Sequence, residues 1–391
     1  MTIQAIIRST RDAGTTDRPR TTHRQDLVTV VLATWLIAGL GLDGWAHNQL
    51  EGGPESFFTP WHAVFYSGWT ATALWVLFMV RTRRADHGTW TQAVPRGYGL
   101  GLVGVAVFAV GGVGDLLWHQ VFGIEQGIAA LLSPTHLLLF TGIALILLAP
   151  FRAAWSSPEP PSAGLLGVLP ALLSVTLLTA LVAFFFEYVS LFSIDLAFSA
   201  SEPVRSSQDQ APQLVGVFDA WVQDVQIKGI MAALVTSLIV VAPVLLMLRR
   251  WRLPFGAATI LFLVVAAIIV AVDGFEAWQN LLAAAAAGVA ADAAIARLRP
   301  APHRVGAFRA VGSFIPMAVI GCTFLAAVWR FRLGWPAELW TGTIFFAGLA
   351  GYALAFLMQP TPGPAPELST STRERTRDDV HPDAQVASRV R

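Results

Sequence analysis

Successive stretches of about 20 residues without Lys, Arg, Asp or Glu run through this chain, and they constrain its fold more than any other feature. Each is long enough for a helix to cross the hydrocarbon layer of a bilayer. Ten helices are expected, roughly at 27–49, 60–80, 98–120, 134–150, 163–190, 228–248, 254–273, 279–297, 306–330 and 336–358. Charged residues make up 13% of the 391 residues and the mean hydropathy is +0.59. A soluble domain carries about twice that charge. The expected fold is therefore all-α: a polytopic integral membrane helical bundle of about ten transmembrane helices in a multi-pass cell-membrane protein.

Arginine sets the expected orientation. Arg8, Arg11, Arg18, Arg20 and Arg24 precede the first span, and Arg81, Arg83, Arg84 and Arg96 follow the second. Arg249, Arg250 and Arg252 follow the sixth, and Arg297, Arg299, Arg304 and Arg309 follow the eighth. The opposite side has only Arg205, Lys228, Arg330 and Arg332. By the positive-inside rule both termini are cytoplasmic. The chain divides into a polar, Arg-rich segment at 1–26, a four-helix region at 27–150, a further bundle of about six helices at 151–358 with an outer loop at 191–227, and a disordered tail at 359–391. The first segment lacks the apolar core of a cleavable signal, so the first span is expected to direct insertion.

The region 27–150 holds an internal repeat. Helix 1 ends in Asp43-Gly-Trp-Ala-His47 and helix 2 begins Thr59-Pro60-Trp-His62, followed by Tyr66-Ser-Gly68. Helix 3 ends in Asp115-Leu-Leu-Trp-His119 and helix 4 begins Ser133-Pro134-Thr-His136, followed by Phe140-Thr-Gly142. Asp and His four apart share a helical face. Thr59 and Ser133 suit an N-cap and the prolines suit the first helical position, which places His62 and His136 in the first turn. Antiparallel neighbours then bring a carboxylate and two imidazoles together, twice, on the non-cytoplasmic side. Of eight histidines, four lie in this motif. An isolated Asp-x3-His pair is commonly an intrahelical hydrogen bond or an interface anchor beside Trp45 or Trp118. Two copies, each completed by a helix-start His, point to metal. Glu51 and Glu125, in the linking loops, are candidate fourth ligands or partners of the ligands. With no thiolate or Met nearby, the donors suit copper(II), with zinc as the alternative. The single cysteine, Cys322, excludes a disulfide framework.

At these residues the chain resembles the copper membrane monooxygenases, the particulate methane and ammonia monooxygenase family. The likeness is to the membrane subunit of that family in which an Asp-x3-His helix end is followed by a Phe-Thr-Pro-x-His helix start. It covers about residues 27–150 and rests on Asp43, Trp45, His47, Phe58, Thr59, Pro60 and His62. It implies one copper site at Asp43, His47 and His62 and a second at Asp115, His119 and His136, in an oxygen-dependent oxidoreductase or a subunit of one. Asp115 stands where the family has Asn, and this chain has more spans. A non-catalytic copper or zinc uptake, storage or delivery protein and a membrane zinc hydrolase are the rival readings. The lipid bilayer is one partner; other membrane subunits or a homo-oligomer are further ones, and nucleic acid is not, because the arginines are explained by topology. No P-loop, dinucleotide fingerprint or serine elbow occurs in a suitable context.

Glu187, Asp273 and Glu276 end later helices on the same outer side and read as interface anchors, or as additions to a ligand set or proton path. Asp292, in an Ala-rich helix, is expected to pair with Arg297.

Overall fold

A computed structural model describes residues 18–50, 57–87, 89–123, 127–193, 215–330 and 334–359. Glu51 and Glu125, the tail beyond Gln359 and most of the outer loop lie outside the described residues. Among the described residues ten long helices appear: α1 (His23–Gln49), α2 (Pro60–Arg83), α3 (Gly99–Phe122), α4 (Pro134–Ser156), α5 (Leu165–Phe185), α6 (Val215–Leu248), α7 (Ala257–Val272), α8 (Gln279–Leu298), α9 (Val305–Arg330) and α10 (Ala337–Met358). Nine are long and apolar enough to cross a membrane. The tenth, α7, has 16 residues and spans about 24 Å. No strand occurs among the described residues. The protein is an all-α polytopic membrane bundle.

Two boundaries differ from the sequence expectation for physical reasons. The α4 helix runs through Pro150 to Ser156 instead of stopping at the proline. The Ser174 hydroxyl of α5 inserts into the α4 ladder there: it accepts from the Phe151 amide at 3.1 Å and donates to the Leu147 carbonyl. A hydroxyl at that point replaces the bond a kink opens. The α6 helix begins at Val215, well before the expected start at 228, so Gln223, Asp224 and Gln226 fall inside the helix.

The α5 helix is the most enclosed, packing against α1, α4, α6 and α7. The α9 and α10 helices pack on each other and on α6. The α3 helix lies at the edge, joined closely to α4 and only lightly to α2.

The two repeated hairpins cross in the same way. A Cβ on Gly39 would stand 2.7 Å from the Phe65 Cα, and one on Gly68 would stand 2.7 Å from the Leu36 Cα. In the second hairpin a Cβ on Gly111 would meet the Leu139 backbone at 3.1 Å, and one on Gly142 the Phe108 backbone at 2.7 Å. Gly68 and Gly142 are the glycines of the sequence motif. Small residues let membrane helices approach backbone to backbone, and here that approach aligns the end of one helix with the start of the next.

One end of the bundle gathers the arginines. Arg83 donates to Gln25 at 2.6 Å, the Arg96 amide to the Pro19 carbonyl at 2.9 Å, and Arg250 to the Ser157 carbonyl at 2.6 Å. The repeated Asp/His motifs lie at the other end.

Asp292 does not hold Arg297. It reaches from α8 to the start of α7 and accepts from the Gly256, Ala258 and Thr259 amides at 2.9, 3.0 and 3.1 Å and from the Thr259 hydroxyl at 2.7 Å. It is an N-cap supplied by another helix, and it explains a charge 1% exposed among alanines. Asp292→Ala is expected to lower stability by about 2 kcal/mol, because one buried and two part-buried amides lose their acceptor; thermal unfolding in detergent measures it. Gly68→Val is expected to cost about 1–3 kcal/mol through overpacking against Leu36. The same melts test it.

Candidate metal centre

Both expected ligand sets assemble. One donor atom each from Asp43, His47 and His62 lie within 4.8 Å of one another, and so do those of Asp115, His119 and His136. The ends of α1 and α3 supply the Asp-x3-His pairs, and the starts of α2 and α4 supply the last imidazole.

Local sequence fixes that last imidazole. The Thr59 hydroxyl accepts from the His62 amide at 3.1 Å and lies 2.9 Å from His62 Nδ1. The Ser133 hydroxyl accepts from the His136 amide at 3.4 Å and lies 2.8 Å from His136 Nδ1. One residue thus caps the helix and holds the ring, leaving Nε2 directed at the carboxylate: His62 Nε2 is 3.6 Å from Asp43 Oδ2 and His136 Nε2 is 3.2 Å from Asp115 Oδ1. His119 Nε2 reaches the same Asp115 oxygen at 3.5 Å, with its Nδ1 on the Gly123 carbonyl at 3.2 Å. The His47 and His62 rings stand edge to face, 5.8 Å apart.

The two sets share one chamber of about 510 Å³. Asp43, His47 and His62 line it together with Asp115, His119 and His136. Phe57 stands between them, stacked on the His62 ring at 5.1 Å and tilted against His119 at 6.1 Å. The rest of the wall is largely apolar, including Leu40, Phe65, Ile143 and Phe184. Nothing in the sequence spacing shows that the two sets face a common space, because that depends on how the hairpins pack.

Further residues reach the chamber from outside the two motifs, Glu187 being one the sequence offered as a possible addition to a ligand set. Asn48 and Glu187 line it, and Thr135 donates to Asp115 Oδ1 at 3.0 Å. Tyr66 packs beside Phe57 at 5.7 Å, and its buried hydroxyl has no hydrogen-bond partner. Asp273 and Glu276 are absent from the wall among the described residues.

The donor chemistry fits a divalent cation. Asp43 Oδ1 is buried and accepts no hydrogen bond among the described residues. A buried carboxylate oxygen without a donor is costly unless a cation answers it. Each set offers two nitrogens and one carboxylate with no sulfur, which matches copper(II) or zinc(II). Neither a Met nor Cys322 lines the chamber among the described residues.

Glu187, just past the end of α5, is pushed up to about 7 by burial, with the nearby Asp273 charge adding to the rise and the Asn48 amide opposing it. Between its ordinary value of 4.5 and about 7, the folded protein retains a proton that the unfolded chain has lost. Stability therefore falls as pH rises through that window. Melts below about pH 5 and above about pH 8 are expected to show this slope, and Glu187→Gln to flatten it. No family model, no curated protein and no solved structure matches this chain.

Proposed function

We propose that this membrane protein binds copper in the shared chamber and acts as an oxygen-dependent oxidoreductase, or a subunit of one, of the copper membrane monooxygenase type. The observation that carries the metal reading is the pair of Asp/His/His sets opening into one cavity, with a buried, unpartnered oxygen on Asp43. The resemblance at Asp43, His47, Thr59, Pro60 and His62 favours copper over zinc. The arginine-rich end faces the cytoplasm by the positive-inside rule, which puts the chamber on the non-cytoplasmic side.

Copper, when bound, supplies one-electron and oxygen chemistry. The chain's residues do the rest. Asp43, His47 and His62 bind and orient, with Thr59 holding the His62 ring. Asp115, His119 and His136 do the same across the chamber. Leu40, Phe65, Ile143 and Phe184 exclude water from its inner end, which strengthens electrostatic interactions there.

A zinc hydrolase is the second reading, because it needs a general base beside the metal and Glu187 lines the chamber. A transporter needs polar groups that continue across the bilayer, and the walls inward of the ligands are apolar.

Elemental analysis of the purified chain decides between these readings. Up to two copper ions per chain are expected, and His47→Ala/His62→Ala is expected to remove one. Unchanged copper in the double variant rejects Asp43, His47 and His62 as a site, and zinc in place of copper favours the hydrolase. A C-terminal fluorescent-protein fusion is expected to report a cytoplasmic end; a dark fusion that becomes active as alkaline phosphatase reverses the orientation.

A further inference from the structure

The two ligand sets have identical residue types but different surroundings. In the second copy the tripeptide before the histidine is Ser133-Pro134-Thr135, and in the first it is Thr59-Pro60-Trp61. The hydroxyl of Thr135 has no counterpart at Trp61.

That hydroxyl closes a directed chain of hydrogen bonds. Thr135 Oγ1 lies 3.0 Å from Asp115 Oδ1, 3.2 Å from Ser133 Oγ, and Ser133 Oγ lies 2.8 Å from His136 Nδ1. Thr135 donates to the Asp115 carboxylate, and each hydroxyl has one hydrogen to give. The Thr135 oxygen then accepts from Ser133, whose hydrogen is committed to it. Ser133 has no hydrogen left for the ring, so it accepts from His136 Nδ1–H. The lone pair of His136 is thereby on Nε2, 3.2 Å from Asp115 Oδ1.

His119 ends in the same state by another route. Its Nδ1 donates to the Gly123 carbonyl at 3.2 Å, and its Nε2 faces the same Asp115 oxygen at 3.5 Å. Two imidazole nitrogens with their lone pairs turned toward one carboxylate oxygen call for a cation among them. The first copy lacks this control. Thr59 Oγ1 lies 2.9 Å from His62 Nδ1, and among the described residues no second hydroxyl takes its hydrogen, so it can donate to the ring or accept from it. Asp43 Oδ1 accepts nothing among the described residues.

We propose that Thr135 is a positioning residue which, through Ser133, holds His136 in the Nδ1–H form, so that the second ligand set is preset for a divalent cation and the first is not. The proposal rests on the metal reading above for its consequence, but the tautomer is a property of the chain alone. Partners that orient a ligand in this way typically carry about 10–100-fold in metal affinity.

The test uses the full chain, purified in detergent. In a His47→Ala/His62→Ala background, which isolates the second set, copper(II) and then zinc(II) are titrated against a chromophoric chelator. Thr135→Val is expected to weaken binding about 10–100-fold. Thr135→Ser, which keeps the hydroxyl, is expected to restore it. Equal affinity in the Val variant overturns the proposal. Nitrogen-15 NMR of the histidine rings in the metal-free, otherwise unaltered protein gives an independent readout. His136 with its hydrogen on Nδ1, moving to Nε2 in Thr135→Val but not in Thr135→Ser, supports the assignment. His136 with its hydrogen on Nε2 in the unaltered protein overturns it, whether or not any variant folds. If neither metal binds the unaltered chain, the metal reading fails by itself, and the ring spectrum still decides the role of Thr135.

Discussion

Two aspartates set into one end of an apolar bundle govern this structure, because a carboxylate taken out of water needs hydrogen-bond donors, a proton or a cation to answer it. Asp115 is 1% exposed, and Asp43 has a buried oxygen with no hydrogen-bond partner among the described residues. Among the described residues no lysine or arginine lines their chamber. Imidazoles surround them instead, and an imidazole answers a carboxylate only when it carries a proton or shares a metal ion. Asp292 shows the other solution available in the same fold: three amides and a hydroxyl satisfy it, and in doing so it joins α8 to α7. The contrast between a satisfied buried aspartate and an unsatisfied one separates architecture from site.

Helix crossing turns that demand into geometry. Each Asp-x3-His pair is useful only if the partner helix begins beside it. The paired glycines, Gly39 with Gly68 and Gly111 with Gly142, remove the side chains that would hold the helices apart. Their equivalence in both hairpins also ties the repeat to three dimensions: the residues that match in sequence make matching contacts. The copies then diverge at Trp61 and Thr135, one residue before the last histidine, where a change alters the hydrogen bonds behind the ring without altering the Asp/His/His set.

The fold was legible because the helix-length apolar runs and the capping residues are local signals. Thr59, Pro60, Ser133 and Pro134 mark the starts of α2 and α4 where the structure has them. The coming together of each Asp/His/His group was legible for the same reason, since each is drawn from one hairpin. What the sequence did not show depends on contacts between distant segments. Ser174 carries α4 past Pro150, Asp292 bonds across to α7, Glu187 comes to the chamber from α5, and the two sets open into one space. No spacing rule announces such contacts. Thr135 was hidden differently: a threonine in a first turn is commonplace, and its meaning appears only when the hydrogens are assigned around it.

The placement of α3 bears on how the molecule is made. It forms one wall of the chamber yet leans almost entirely on α4, its neighbour in the chain. Each ligand set therefore needs no helix beyond its own hairpin, and a short closed loop is a small entropic demand. During synthesis the first set can close as soon as α2 has entered the bilayer, and the second when α4 has, before the enclosed helix α5 arrives to seal the chamber. Assembly in that order leaves both groups of side chains reachable from solvent until α5 covers them.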